Sequence, residues 1–184
     1  MIIAGILIAL GATANLMLGG IAGAIFFSFG LLTICALEAK LYTGKIAYYF
    51  NYSVEEIIFM LIINCLSAGV MATLLLNTRI GPTLVEKAIP IVESKMGESY
   101  LSAFIMALMC GAIIYFAIEL FKTKAYYGLI LAIALFIICG FNHCIADFFY
   151  YSLVGELPYL KWIITVLGNS IGGIATRAIR ESSF

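Results

Sequence analysis

Six stretches of mostly apolar residues divide the chain, at roughly 1–18, 21–50, 54–76, 100–121, 126–150 and 159–176. A helix that crosses the hydrocarbon core of a bilayer takes about 20 such residues, so the pattern predicts six transmembrane helices. The one long polar stretch, 77–99, separates the third from the fourth. It carries Arg79, Pro82, Glu86, Lys87, Pro90, Glu93, Lys95 and Glu98, and reads as a loop. The other connections are short, which predicts a single membrane domain over 1–184. Met1 runs directly into Ile2-Ile3-Ala4-Gly5-Ile6-Leu7-Ile8 with no basic segment before it. That reads as a retained first helix rather than a secretory leader.

The second and fifth stretches break the apolar pattern from within. The second holds Glu38, Lys40, Lys45 and the turn-like Thr43-Gly44; the fifth holds Gly140-Phe141-Asn142-His143-Cys144-Ile145-Ala146-Asp147. Irregular backbone at membrane depth is tolerated only where it is buried in protein or lines a cavity. Each break falls in the middle helix of three, the arrangement expected of inverted repeats around a central path. The predicted repeats are about 1–76 and 100–176. The third helices of the two halves carry related patterns, Asn64 followed by Ser67-Ala68 and Asn169 followed by Gly172-Gly173. Small residues let helices approach closely, and an amide can tie down freed backbone. The fold class is therefore all-α, polytopic and aquaporin-like, with interrupted second and fifth helices.

Composition agrees. The 184 residues are 64% hydrophobic and 11% charged, against about 25% charged in soluble domains. A chain so poor in charge covers its exterior with lipid. Its net charge of zero offers no basic field for nucleic acid. The cysteines, Cys35, Cys65, Cys110, Cys139 and Cys144, lie in apolar stretches without zinc-ligand spacing. They read as small buried hydrophobes, and no cofactor is expected. The only histidine, His143, lies in a membrane-length segment four residues before a carboxylate, Asp147. Ionisable groups inside a bilayer mark substrate or proton paths. No nucleophile–base–orienter set accompanies His143, so an enzyme is not expected.

These residues resemble the formate/nitrite transporter family of anion channels. The family's Leu-Phe-Thr-Gly loop stands here as Leu41-Tyr42-Thr43-Gly44, and its Gly-Phe-Glu-His-Ser-x-Ala-Asn motif as Gly140 to Asp147. Phe27-Ser-Phe-Gly30-Leu31 is similar to the family's Phe-Pro-Leu-Gly-Leu run. Leu167-Gly168-Asn169-Ser-Ile-Gly172-Gly173 matches the close of its last helix. Lys95 and Cys110-Gly111 keep the spacing of the family's vestibule lysine and Cys-Asn pair. The chain departs at Asn142 (a glutamate in the family), Asp147 (an asparagine), Lys40 (an acid), Tyr42 (a phenylalanine) and Gly111 (an asparagine).

The resemblance implies a homopentamer with one pore per protomer. His143 and Thr43 would meet at the pore centre, although Thr43 is equally a candidate helix cap. Phe27, Leu31, Leu41, Tyr42 and Phe136 would form apolar constrictions. Lys95 would sit in the outer vestibule as a cation, and Asn142, at the family's glutamate position, is a further candidate of the vestibule and charge set. Lys40 and Asp147 are expected to compensate each other near the pore, and Asn64 and Asn169 to support the breaks. The family's amphipathic N-terminal segment has no counterpart before Met1, so neither end of the chain is expected to act as a gate.

The expected substrate is a small monovalent weak-acid anion such as formate, nitrite, hydrosulfide, acetate or lactate. A bare anion meets a large desolvation penalty at an apolar slit, which protonation near His143 removes. The alternative is a facilitator for a small neutral solute or ammonium on the same scaffold. Lys122, Lys124, Arg177 and Arg180 lie at one side of the predicted bundle. By the positive-inside rule this puts both termini in the cytoplasm, in a membrane expected to be the bacterial cytoplasmic one.

Overall fold

The computed structural model describes residues 1–183, and no strand occurs among them. The helices are α1 (Ile2–Leu18), α2 (Gly20–Ala36), α3 (Tyr42–Lys45), α4 (Val54–Leu76), α5 (Gly81–Gly97), α6 (Tyr100–Lys122), α7 (Tyr126–Ile138), α8 (Cys144–Val154) and α9 (Tyr159–Ser182). A 3-10 segment, Ile46–Asn51, continues α3. Three helices, α4, α6 and α9, are long and apolar enough to cross a membrane on their own; α1, α2, α7 and α8 are shorter and apolar. The protein is an integral membrane protein of helices. The exposed face of α4, with Ile58, Phe59, Ile62, Leu66, Val70 and Leu74, is a continuous apolar stripe suited to lipid or to another apolar surface.

The polar stretch 77–99 is a helix over most of its length rather than a loop. Leu84, Ala88, Val92 and Lys95 are buried along one face of α5, while Glu86, Lys87 and Glu93 are exposed. That is the period of an amphipathic helix, which a reading by mean polarity overlooks. Pro82 sits in the first turn, where its missing N–H would have had no intrahelical partner.

The two predicted breaks are present and have one backbone design. At the end of α2 the Leu37 N–H donates to Thr33 O, Glu38 N–H to Cys35 O, and Ala39 N–H to Ile34 O. At the end of α7 the Cys139 N–H donates to Leu135 O, Gly140 N–H to Ile137 O, and Phe141 N–H to Phe136 O. The two sets match residue for residue. Both turns use a left-handed residue at the same place, Glu38 (φ 51°) and Gly140 (φ 69°). Only glycine takes that conformation without a steric penalty, so the first turn is the more strained.

Helix pairing also recurs. α1 packs on α2 and α4, and α6 packs on α7 and α9. Each half sends its short segment across to the other, since α8 packs on α4 and the 3-10 segment packs on α9. The first and third helices of each half touch through glycine. A Cβ at Gly5 would lie 2.2 Å from Asn64 O, and one at Gly111 would lie 2.2 Å from Asn169 O. Backbone this close leaves room for hydrogen only, which accounts for Gly111 where the family pattern has asparagine. Of the cysteines, Cys65, Cys110 and Cys144 are buried as expected, Cys35 is half-buried, and Cys139 faces outward.

Candidate functional site

Two asparagines hold the broken ends. Asn64 on α4 accepts from the Tyr42 N–H (2.8 Å) and donates to Lys40 O (3.2 Å) and Met1 O (2.9 Å). Asn169 on α9 accepts from the Cys144 N–H (2.9 Å) and donates to Asn142 O (2.8 Å) and Ala107 O (2.8 Å). Each amide therefore takes the first free N–H of a short helix, the carbonyl two residues before it, and a carbonyl from the N-cap (Met1) or the body (Ala107) of the first helix of its half. Both asparagine residues are fully buried. Backbone groups freed by a break and sealed from water need such partners.

The residues that enter the short helices meet at the centre. Thr43 Oγ1 lies 2.9 Å from His143 Nε2, and both residues are buried. His143 is also the N-cap of α8, its Nδ1 accepting from the Ala146 N–H (3.2 Å). A backbone N–H can only donate, so the neutral ring carries its proton on Nε2 and aims it at Thr43 Oγ1. The hydroxyl hydrogen of Thr43 is then left for a third group. Thr43 is not a cap; that position in α3 belongs to Leu41, without a side-chain bond.

Apolar side chains pack against this polar pair. The rings of Phe27 and Phe136 meet edge to face with centroids 5.5 Å apart, and Phe136 lies 5.9 Å from the His143 ring. Leu31 and Leu41 are buried beside Gly44, on the wall of a cavity of about 480 Å³. Tyr42 is buried too, with its hydroxyl 2.7 Å from Ser170 Oγ on α9. The larger cavity is bounded by Ile118, Phe121 and Lys122 at the C-terminal end of α6. A smaller cavity, of about 100 Å³, is lined by Asn15, Lys95, Phe136, Gly140, Asp147 and Tyr150 among others. It lies toward the other end of α6, whose first residues follow directly from α5 and Lys95.

Lys95 is drawn into this second region. Its Nζ donates to Asn142 Oδ1 (2.5 Å) and pairs with Asp147 Oδ1 (3.1 Å). The expected compensation of Lys40 by Asp147 is replaced by this pair. Lys40 lines the larger cavity while Asp147 lines the smaller one, so the two charges face different compartments. Lys40 instead pairs with Glu56 at 3.4 Å, both side chains nearly half exposed. Glu56 closes a capping box with Ser53 at the start of α4.

Sequence reasoning missed Glu98 and Lys161. Asn142 Nδ2 donates to Glu98 Oε1 (2.6 Å), whose other oxygen accepts from Ser102 Oγ (2.7 Å). Lys161 Nζ donates to Glu98 O (2.6 Å) and to Met96 O, bracing the turn between α5 and α6. Glu98 and Asn142 lie far apart along the chain, and nothing in local spacing joins them. The single tryptophan, Trp162, donates from Nε1 to Cys144 O (2.9 Å) and fixes the first turn of α8 from outside. At the far end, Glu119 accepts from Tyr48, Lys122 and Arg180, while Arg177 donates to Ala47 O (3.1 Å). These bonds anchor the 3-10 segment to α6 and α9.

No curated protein matches the chain. Among solved structures, a pentameric formate channel with formate bound is similar in fold, with a TM-score of 0.71 at 20% identity. The alignment covers 99% of this chain and 90% of that one. The family model described as formate/nitrite transporter matches residues 1–180. With nearly its whole length matched, the chain belongs to the formate/nitrite transporter family and is a membrane transport protein, not an enzyme.

Proposed function

We propose that this protein is a channel for small monovalent weak-acid anions, which cross as the protonated acid at the slit formed by Phe27, Phe136, Thr43 and His143. The observation that carries the reading is the 2.9 Å contact between Thr43 Oγ1 and His143 Nε2. It joins the two interrupted segments beside the Phe27–Phe136 ring contact; Phe136 lines the smaller cavity, and Leu41 and Gly44, on either side of Tyr42 and Thr43, line the larger one. An anion cannot keep its hydration shell there, and an unpaired buried charge is heavily penalised. A neutral acid needs only an acceptor and a donor, which Thr43 and His143 supply. Leu31, Leu41 and Tyr42 narrow the approach from the larger cavity.

In this reading residues 1–184 form one membrane domain of six spans. The repeats of about 1–76 and 100–176 are inverted about the slit and joined by α5. The matching hydrogen-bond sets of the two breaks and the matching roles of Asn64 and Asn169 support it. The apolar outer faces suit a homopentamer in a bilayer, the assembly of the similar formate channel. The basic residues Lys122, Lys124, Arg177 and Arg180 support cytoplasmic termini by the positive-inside rule, in this reading in a bacterial cytoplasmic membrane with the Lys95 cavity facing outward.

The pairing of Lys95 with Asp147 favours the second reading, a facilitator of neutral solute or ammonium, because it weakens the pull on an anion. Flux in proteoliposomes separates the two. The channel reading expects formate, nitrite, hydrosulfide, acetate or lactate flux that rises as pH falls, with chloride excluded. Phe27→Ala with Phe136→Ala widens and wets the slit and should admit chloride. Flux of uncharged solutes or ammonium alone in the wild type rejects the anion channel. Equal chloride exclusion by both proteins places the filter elsewhere.

A further inference from the structure

One polar atom in the vestibule has no role in the packing described above. Asp147 Oδ2 is buried and without a hydrogen-bond partner, while Oδ1 of the same carboxyl pairs with Lys95. Asp147 itself is 2% exposed and lines the smaller cavity together with Phe136, a wall of the slit. A buried charge-bearing oxygen left unpaired is unfavourable. A proton on that oxygen removes the charge, and a ligand lone pair that accepts from the resulting O–H satisfies it.

We propose that Asp147 is the proton donor and acceptor for the passing substrate, with Oδ2 as the exchanging atom. This rests on the weak-acid channel reading and deepens it. An anion drawn to Lys95 loosens its pair with Asp147, the carboxylate takes a proton on Oδ2 from vestibule water, and the anion meets that Oδ2–H. The O–H bond of Asp147 breaks and a bond between the proton and a substrate lone pair forms. The neutral acid moves on to Thr43 and His143. The carboxylate left behind is held by Lys95 through Oδ1 and regains its proton from vestibule water. Transfer in the reverse direction follows the same steps backward.

The surroundings suit an exchange at one oxygen. The charged and titratable groups near Asp147 are Lys95 and Glu98 at the end of α5, Cys110 on α6, and Tyr150 and Tyr151 on α8 itself. His143 heads the same helix, and Cys65 from α4 approaches through Cys144. Glu98 is already occupied by Asn142 and Ser102. Tyr150 shares its hydroxyl with Asn15 at 3.5 Å. α1 contributes no charged or titratable side chain to this packing. Asp147 is thus the only carboxyl of the cluster with a free oxygen, and a carboxyl suits proton exchange with a weak acid of similar strength.

The test combines flux with infrared difference spectroscopy on the full-length protein. Asp147→Asn keeps the shape and an oxygen that accepts from Lys95 but cannot exchange a proton. Formate flux should fall by about 10²-fold or more, the usual contribution of a positioned acid–base group. Flux of a neutral solute of similar size should persist, which guards against a misassembled variant. In the wild type, adding formate should change a carboxyl band that is absent from Asp147→Asn. Should that variant fail to assemble, Lys95→Met with Asp147→Asn removes the buried charge that it leaves behind. The same fall in formate flux, with neutral-solute flux kept, is expected there relative to Lys95→Met alone. Unchanged formate flux and pH profile in either assembled variant, or a wild-type spectrum without the Asp147 band change, overturns the proposal and leaves the channel reading standing. A wild type that moves no weak-acid anion at any pH overturns both.

Discussion

Leu41 stands before α3 at the first break, and His143 stands in the same place before α8 at the second. The backbone around them is fixed alike: three turn hydrogen bonds, a left-handed residue, and a buried asparagine from the third helix. The side chains then diverge. Leu41 gives the first break an apolar wall, while His143 gives the second a cap and a proton aimed at Thr43. Lys40 is nearly half exposed and pairs with Glu56, whereas its counterpart Asn142 is buried and bridges Lys95 to Glu98. The scaffold was satisfied twice by one solution, and this freed the side chains beside it to differ. Chemistry concentrates at the second break, and the first supplies shape and one hydroxyl.

The largest expected effect tests the shared scaffold. Asn169→Leu strands the Asn142 carbonyl and the Cys144 N–H, at about 1–3 kcal/mol for each group left unpaired, while Ala107 O stays in the α6 ladder. Asn64→Leu strands the equivalent Lys40 carbonyl and Tyr42 N–H, with Met1 O still accepting from the Ala4 N–H, but the Lys40 bond is only partly buried, so water relieves it. Thermal unfolding in detergent should show Asn169→Leu as clearly the more damaging. Equal losses would mean that the two breaks are equally sealed.

A smaller effect separates the two duties of His143. His143→Ala removes the α8 cap and should lower stability by about 0.5–2 kcal/mol. His143→Asn keeps a capping side chain and should melt near the wild type. Both lose the contact to Thr43 and should lose weak-acid flux. An Ala variant as stable as the Asn variant would show that the cap contributes nothing.

The smallest effect concerns the exposed ion pair of the first break. Screened surface pairs add little, so Lys40→Met should leave the melting temperature unchanged and weaken salt dependence only slightly. A marked loss would mean that the pair is shielded, for example by a neighbouring subunit.

Much of the second break was legible. A lone histidine and an aspartate in an apolar stretch cannot be hidden by composition, and the Asn64 and Asn169 patterns announced the supports. The pairing of the charges was not legible. Lys40 and Asp147 looked complementary because both stand in interrupted helices, but the structure turns them into different cavities. Lys95 looked like a loop charge because its helix was judged by mean polarity, not by period. Glu98 carried no local signal at all.

The sequence by itself determined that this chain lives in lipid, where two of its helices are interrupted, and which family it resembles. Those follow from local quantities: run length, the conformational demands of turn residues, and the penalty of placing charge in hydrocarbon. Only the tertiary structure decided which lysine neutralises which acid, that His143 faces Thr43, and that one oxygen of Asp147 remains without a partner. Such choices depend on distances of a few ångströms between residues remote in the chain. At those distances the burial of one side chain depends on the helix that covers it, and periodicity along a single helix does not specify its neighbour.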